Sequence, residues 1–100
     1  MNGLVLEHQI LDGVQKLYRF DNNFGASVIR HSYSYGGKDG LWELAVIYWY
    51  SDTEWHICYA TSITDDVIGY LTWDEVEQYL ERIEKLEEEN MYAWRYHYKS

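Results

Sequence analysis

The chain has one cysteine, no proline and few basic residues. The single cysteine, Cys58, excludes an intramolecular disulfide, which favours a reducing compartment. Eight Lys and Arg residues against 17 Asp and Glu residues give a net charge of −9, which argues against direct binding to nucleic acid or anionic lipid. No apolar run approaches the length of a membrane span, and the first residues lack the basic region of a secretion signal. We therefore expect a cytoplasmic protein.

Aromatic residues, in contrast, are abundant. They make up 18% of the 100 residues, with eleven Tyr and five Trp, and hydrophobic residues reach 47%, which excludes a disordered chain. One small core needs fewer aromatic side chains than this, so some of them should lie on the surface. The length and the lack of a low-complexity linker predict a single domain over residues 1–100. Its segments are an N-terminal segment at 1–13, a β-meander at 14–61, a helix at 72–89 and an aromatic tail at 91–100.

Alternating side chains predict the sheet. They indicate four antiparallel strands, at residues 14–20, 26–35, 41–50 and 53–61. Strand 41–50 is apolar on both faces, which is typical of a central strand covered on both sides. The helix and a partner, or a curled sheet, could supply this cover, and we expect self-association and favour a dimer. In strand 53–61, Trp55 and Ile57 should face inward while Cys58 faces outward.

The helix is predicted from its start and its periodicity. Thr72 followed by Glu75 forms a capping box, and Leu71 with Val76 can form a hydrophobic staple around it. Apolar residues then recur at helical spacing through Leu86 and give one face to pack on the sheet. The predicted fold is therefore α+β, a four-stranded antiparallel β-meander with one C-terminal amphipathic helix packed on a face.

A stripe of carboxylates runs along the other side of this helix. It consists of Glu77, Glu81, Glu84 and Glu88. The stripe could imitate a nucleic-acid backbone, but its charges lie about 5 Å apart along the helix, which is sparser than the roughly 3.4 Å per charge of one DNA strand. Arg82 and Lys85 interrupt it, and Glu81 with Lys85 has the order of a solvated helix pair. These features favour an ordinary soluble face over a DNA mimic.

Three short patterns contain residues that could bind ligands or react, and each has a simpler structural interpretation. His56 and Cys58, two apart on a strand, could bind metal or form a thiolate–imidazole pair, but no third ligand accompanies them, so we predict no metal site and no cofactor. Residues 36–40 contain glycines and a lysine, but a strand follows them rather than the helix of a phosphate-binding loop. Asp65 and Asp66 could act as an acid–base pair or hold a divalent cation, and they also suit a turn.

Three segments taken together resemble one group of proteins. They are YRFDNNFGASV at residues 18–28, SYGGKDGLWELAV at 34–46 and ITDDVIGYLT at 63–72. In this order they resemble small uncharacterised proteins encoded by tailed bacteriophages, over residues 18–83. The aromatic tail departs from that pattern, because such proteins end soon after the helix. The resemblance implies production in the cytoplasm of an infected bacterium and implies no catalytic residues.

The sequence therefore predicts a non-enzymatic phage accessory protein that binds another protein, such as a host or defence factor. The expected contact residues are the tail aromatics Tyr92, Trp94 and Tyr96 together with the glutamates of the stripe. A competing hypothesis is a nucleotide-signal binding protein that uses residues 36–40 with Arg30 and His31. Two weaker hypotheses are a component of virion assembly and a hydrolase that uses Asp65 and Asp66.

Overall fold

A computed structural model describes residues 3–59, 61–63 and 66–87 of the chain. These residues form one antiparallel sheet and one α-helix, which confirms the α+β class. The strands are β1 (Leu4–Ile10), β2 (Gly13–Arg19), β3 (Phe24–Arg30), β4 (Trp42–Trp49), β5 (Trp55–Ile57) and β6 (Ile68–Leu71). Helix α1 spans Trp73–Glu84, and a 3-10 helix at Gly37–Asp39 lies between β3 and β4.

Strands β1 to β4 lie side by side in chain order, as a meander requires. Strands β5 and β6 both pair with β4, the first at its C-terminal end (Trp49 opposite Trp55) and the second at its N-terminal end (Trp42 opposite Leu71). The predicted number of four strands is therefore wrong for the described residues, which form six. The two additional strands are β1, in the segment 1–13, and β6, in the connector before the helix.

Two of the predicted strands are shorter in the structure. Strand β3 ends at Arg30 rather than at residue 35 because the chain turns at His31. The Ser34 hydroxyl accepts a hydrogen bond from the His31 N–H (3.0 Å) and donates one to the His31 carbonyl (2.9 Å), which closes the turn. Strand β5 contains only Trp55–Ile57 of the predicted 53–61.

Both faces of β4 are covered, as predicted. Its helix side belongs to a core with α1, which includes the buried residues Phe24, Val28, Trp42, Leu44, Val46, Leu71, Val76, Leu80 and Ile83. On the opposite face Ile47 and Trp49 pack with Leu17, Trp55 and Ile57. Ile47 is 0% exposed within a single chain, so this face does not need a second copy of the chain to cover it.

Cys58 faces the opposite way to the prediction. Its N–H donates to the Val46 carbonyl (2.7 Å), and its side chain is buried in the core beneath α1. Trp55 and Ile57 instead pack on the far face of the sheet. Because β4 is apolar on both faces, alternation in the neighbouring strand could not show which of its faces lies toward the helix.

The start of α1 confirms the capping box. The Thr72 hydroxyl accepts from the Glu75 N–H (3.2 Å), and the Glu75 carboxylate accepts from the Thr72 N–H (2.9 Å). The helix ends at Glu84 rather than at residue 89, and residues 88 and 89 lie outside the described ones. The carbonyls of its last two residues, Ile83 and Glu84, accept hydrogen bonds from the side chain of Asn22, in the turn between β2 and β3.

Candidate functional site

The acidic stripe is exposed and uncompensated as far as the structure describes it. Glu77, Glu81 and Glu84 all lie on the solvent side of α1. The ion pairs among the described residues join Lys16 to Glu7 and Arg19 to Asp52, so the anticipated contact between Glu81 and Lys85 is not made. Arg82 lies over the Tyr79 ring, 5.3 Å from its centroid. Three charges of one sign therefore face solvent without a cation within ion-pairing distance among the described residues.

The remaining predicted contact residues are Glu88, Tyr92, Trp94 and Tyr96. All four lie outside the residues that the structure describes. Of the predicted contact surface, the structure therefore places Glu77, Glu81 and Glu84.

A second exposed group, which the sequence pattern does not predict, is a set of tyrosines at one end of the sheet. Tyr33 is 83% exposed, and Tyr35 and Tyr70 are more than half exposed. The Tyr70 N–H donates to the Tyr35 carbonyl (3.1 Å), which brings β6 against the loop after β3. The alternating pattern predicts Tyr33 and Tyr35 on a strand that in fact ends before them, and Tyr70 lies on a strand that the pattern does not indicate.

Two residues bordering this end of the sheet have left-handed backbone conformations. Tyr70 has φ 57° and Leu11, in the turn between β1 and β2, has φ 51°. Glycine or asparagine adopts this region at lower cost than a bulky side chain does. Both side chains are exposed, so burial does not offset the strain. Backbone strain of this kind occurs at binding sites, and for Leu11 it is also what the two-residue turn between β1 and β2 requires.

The polar groups expected around a nucleotide do converge. Arg30, His31, Gly37 and Lys38 line one open depression of about 380 Å³, with Asp12 at its rim. The Arg30 guanidinium lies over the Trp42 ring, 4.4 Å from its centroid. The Ser32 N–H donates to Asp12 and lowers the pKa of that carboxyl. The depression thus brings one guanidinium, one lysine amino group and one imidazole beside a single carboxylate.

The loop itself is not a phosphate cradle. The Gly37 N–H donates to the Ser34 carbonyl and the Gly40 N–H to the Gly37 carbonyl, so these amides are already used within the loop. The Nδ1 atom of His31 accepts from the Tyr33 N–H (3.1 Å), which leaves Nε2 as its donor. An anion in the depression would therefore be bound by side chains rather than by the backbone.

The remaining candidate residues are His56, Cys58, Asp65 and Asp66. His56 is exposed, whereas Cys58 is buried, and burial raises the pKa of the Cys58 thiol to about 12. A thiol of that pKa is not a nucleophile at neutral pH. Asp66 accepts a hydrogen bond from the Val67 N–H (2.7 Å), as in a turn, while Asp65 lies outside the described residues. The part of the chain that is described contains no cluster of three or more His, Cys, Asp or Glu suited to a metal ion.

Comparison with known proteins finds no match, whether to a family model, a curated protein or a solved structure. In the described parts of the chain, no helix is both long and apolar enough to cross a membrane.

Proposed function

We propose that this chain is a non-enzymatic accessory protein of a tailed bacteriophage that acts in the host cytoplasm by binding another protein, such as a host or defence factor. The observation that carries this proposal is the stripe formed by Glu77, Glu81 and Glu84, which presents three carboxylates on one helix face without an ion-pair partner among the described residues. The phage setting rests on the sequence resemblance over residues 18–83.

The stripe suits a partner with a basic surface. Opposite charge accelerates encounter and disfavours wrong partners, and it is screened by salt because these side chains are exposed. Aromatic residues supply the apolar contacts that charge alone does not. The exposed Tyr33, Tyr35 and Tyr70 can serve in this way, alongside the tail aromatics predicted from the sequence.

The experiment is comparative affinity capture from infected host lysate. Glu77, Glu81 and Glu84 are changed together to Lys, and the recovered proteins are quantified against the unaltered chain. The matched control changes Asp39, Glu54 and Glu87 to Lys, three exposed acids outside the stripe that give the same change in net charge. We expect the control to recover the same partner as the unaltered chain and the stripe variant to lose at least tenfold of it. Equal recovery by both variants would remove the stripe from the proposal.

A second candidate, a nucleotide-signal binding protein, is favoured by the convergence of Arg30, His31 and Lys38 around the depression. Its test is the thermal stability of the protein across a panel of mono-, di- and cyclic nucleotides, because a ligand that binds only the folded state raises the melting temperature. Lys38→Glu should abolish any shift, and Asp39→Lys, an exposed change outside the depression, should leave it. No shift with any nucleotide would eliminate this candidate.

Two further possibilities, a component of virion assembly and a hydrolase using Asp65 and Asp66, have separate tests. Incorporation into purified virions would indicate the first. For the second, turnover of a substrate must be found and must then be lost in the Asp65→Asn, Asp66→Asn double variant.

A further inference from the structure

The sheet has one long edge without a described neighbour, and that edge exposes aliphatic side chains. Strand β1 pairs with β2 on one side only. Its residues Leu4, Val5 and Leu6 are consecutive and each at least 42% exposed. The other edge, beyond β4, is occupied by the short strands β5 and β6. A seven-residue edge with exposed aliphatic residues and no proline or lysine is a template for pairing with another strand.

We propose that β1 pairs antiparallel with β1 of a second copy of this chain, across a twofold axis at His8, and joins the two sheets into one. This surface is separate from the acidic stripe. It also differs from the second face of β4, which is already covered within one chain.

The direction of the backbone groups limits how two copies can pair. Ile10 lies opposite Gly13 across a two-residue turn, so these two form a hydrogen-bonded pair and the bonded pairs then alternate along the ladder. Along β2 the bonded residues are then 13, 15, 17 and 19, and the Arg19 N–H does donate to β1's side of the ladder, to the Gly3 carbonyl at 2.7 Å, beyond the register shift between Leu4 and Leu6. The N–H and C=O groups of Glu7 and Gln9 therefore point away from β2 and are available to a second copy.

Only a few registers bring those groups together. When His8 lies opposite His8 of the second copy, each Glu7 lies opposite a Gln9, and the two residues form a hydrogen-bonded pair on each side of the axis. Of the two neighbouring registers, one places Glu7 opposite Glu7, and like charges face to face are destabilising. The other, centred on Gln9, leaves only Gln9 opposite Gln9 as a bonded pair within the strand, because Glu7 then lies opposite Leu11 in the turn. Charge and backbone pairing therefore favour the register centred on His8.

The same register also matches the apolar residues. It places each Leu6 opposite an Ile10 of the second copy, on the face of the sheet that contains Leu17, because paired residues in an antiparallel ladder point to the same side. In the register centred on Glu7, Leu6 would lie opposite His8. Apolar contact and charge therefore select the same arrangement, with the twofold axis perpendicular to the sheet.

Sedimentation velocity of the full chain between about 5 and 200 µM, at about 0.15 M salt to screen its net charge, measures the association. We expect a concentration-dependent dimer. Leu6→Lys should weaken it at least tenfold, whereas the control Leu11→Lys, an exposed leucine in the turn outside the ladder, should not. Gln9→Pro, which removes an outward N–H and no bond to β2, should also abolish it. A protein that is monomeric throughout this range would overturn the proposal.

Disulfide trapping tests the register directly. His8→Cys, in a Cys58→Ala background, should form a covalent dimer on mild oxidation at least ten times faster than Glu7→Cys, because only position 8 meets its own copy. Faster trapping at Glu7 would overturn the register, and a dimer that neither position traps would show that another surface pairs the chains. The stripe variant should dimerise normally, so failure of this proposal and failure of the proposed function are distinguishable.

Discussion

The side-chain amide of Asn22 donates a hydrogen bond to the carbonyl oxygen of Ile83, at 3.0 Å, from the opposite end of the sequence. The same nitrogen donates to the carbonyls of Glu84 and Leu86. The Asn22 carbonyl oxygen accepts from the Phe24 N–H. One side chain thus binds the carbonyls of Ile83 and Glu84 at the end of α1 and that of Leu86 just beyond it, and joins the helix to the turn between β2 and β3.

Replacement of Asn22 should therefore loosen the end of the helix. Asn22→Ala removes the side-chain donor from these carbonyls, of which that of Ile83 keeps the Leu86 N–H, and also removes the acceptor for the Phe24 N–H. It should lower the free energy of unfolding by about 2 kcal/mol, as measured by urea denaturation. Asn22→Asp retains the acceptor for Phe24 but loses the donor and adds a negative charge at the helix C-terminus, so it should be at least as destabilising. Unchanged stability in both variants would show that the contact contributes nothing.

Gly25, like Gly13, should be among the least replaceable glycines of the sheet, because a Cβ atom at either position would lie 1.8 Å from a backbone carbonyl oxygen. A Cβ atom at Gly25 would lie 1.8 Å from the Tyr18 carbonyl oxygen and 3.0 Å from Nε1 of Trp49, and that nitrogen donates to the same carbonyl at 2.9 Å. Gly25→Ala must displace the backbone and break this bond, so we expect a loss of more than about 3 kcal/mol. Gly40→Ala, where φ is 76° but the space is open, should cost about 1 kcal/mol. Urea unfolding of both variants checks the order.

The helix was predictable because its signals are local. The capping box of Thr72 and Glu75 and the repeat through Leu86 lie within a few residues of one another, and the structure confirms both. Strand β1 was not predictable in this way because its first three residues are all apolar and a register shift between Leu4 and Leu6 breaks the alternation. Strand β6 is only four residues long and includes Gly69 and the left-handed Tyr70, so its pairing with β4 is set by contacts distant in sequence.

Some residues of the candidate sites were likewise predictable from local sequence, and others were not. Glu77, Glu81 and Glu84 follow directly from helical spacing. The depression was only partly predictable, because Arg30, His31 and Lys38 are near in sequence while Asp12 reaches them through the turn between β1 and β2. Nothing local in the sequence indicates that Tyr70 approaches Tyr35. The orientation of Cys58 depended on which face the helix covers, and this requires the tertiary structure.

Cys58 should be unreactive in the folded protein, and ionisation of its thiol in the unfolded chain should lower the stability of the fold at high pH. Because the folded-state pKa is raised from 9.0 to about 12, the unfolded chain loses its proton first. The contribution of Cys58 to the free energy of unfolding is therefore fully present below about pH 9, and above that pH the free energy of unfolding falls by about 1.4 kcal/mol per pH unit. Cys58→Ala should remove this slope between pH 9 and 10. Tyr18, whose pKa is raised by burial and then by Glu7 and Glu77, contributes at still higher pH.

The measurements are thiol labelling at pH 8, with and without urea, and urea unfolding across the alkaline range. Rapid labelling of the native protein would contradict the buried position of Cys58. A slope between pH 9 and 10 that persists in Cys58→Ala would assign the alkaline instability to another group.

Tyr70 should contribute to partner binding rather than to the stability of the fold. Tyr70→Asn places a residue that tolerates φ 57° at an exposed position, so we expect an unfolding free energy that is unchanged or raised by up to about 1 kcal/mol. The same variant should recover less partner in the capture experiment, because an exposed aromatic contact is lost. Lower stability together with normal capture would contradict this account. Tyr33→Asn, which has no strained backbone to relieve, should weaken capture without a gain in stability.

Site-specific photo-crosslinking during infection tests the central claim most directly, because it reports which surface of the chain lies against the partner. A photoreactive amino acid is placed at Gln78, exposed on α1 beside the stripe, and separately at Glu54, exposed in the turn before β5. We predict a covalent adduct with one host or phage protein from position 78, no adduct from position 54, and loss of the adduct when Glu77, Glu81 and Glu84 are changed to Lys. An adduct from position 54 alone, or one from position 78 that survives the charge reversal, would contradict the acidic stripe as the binding surface.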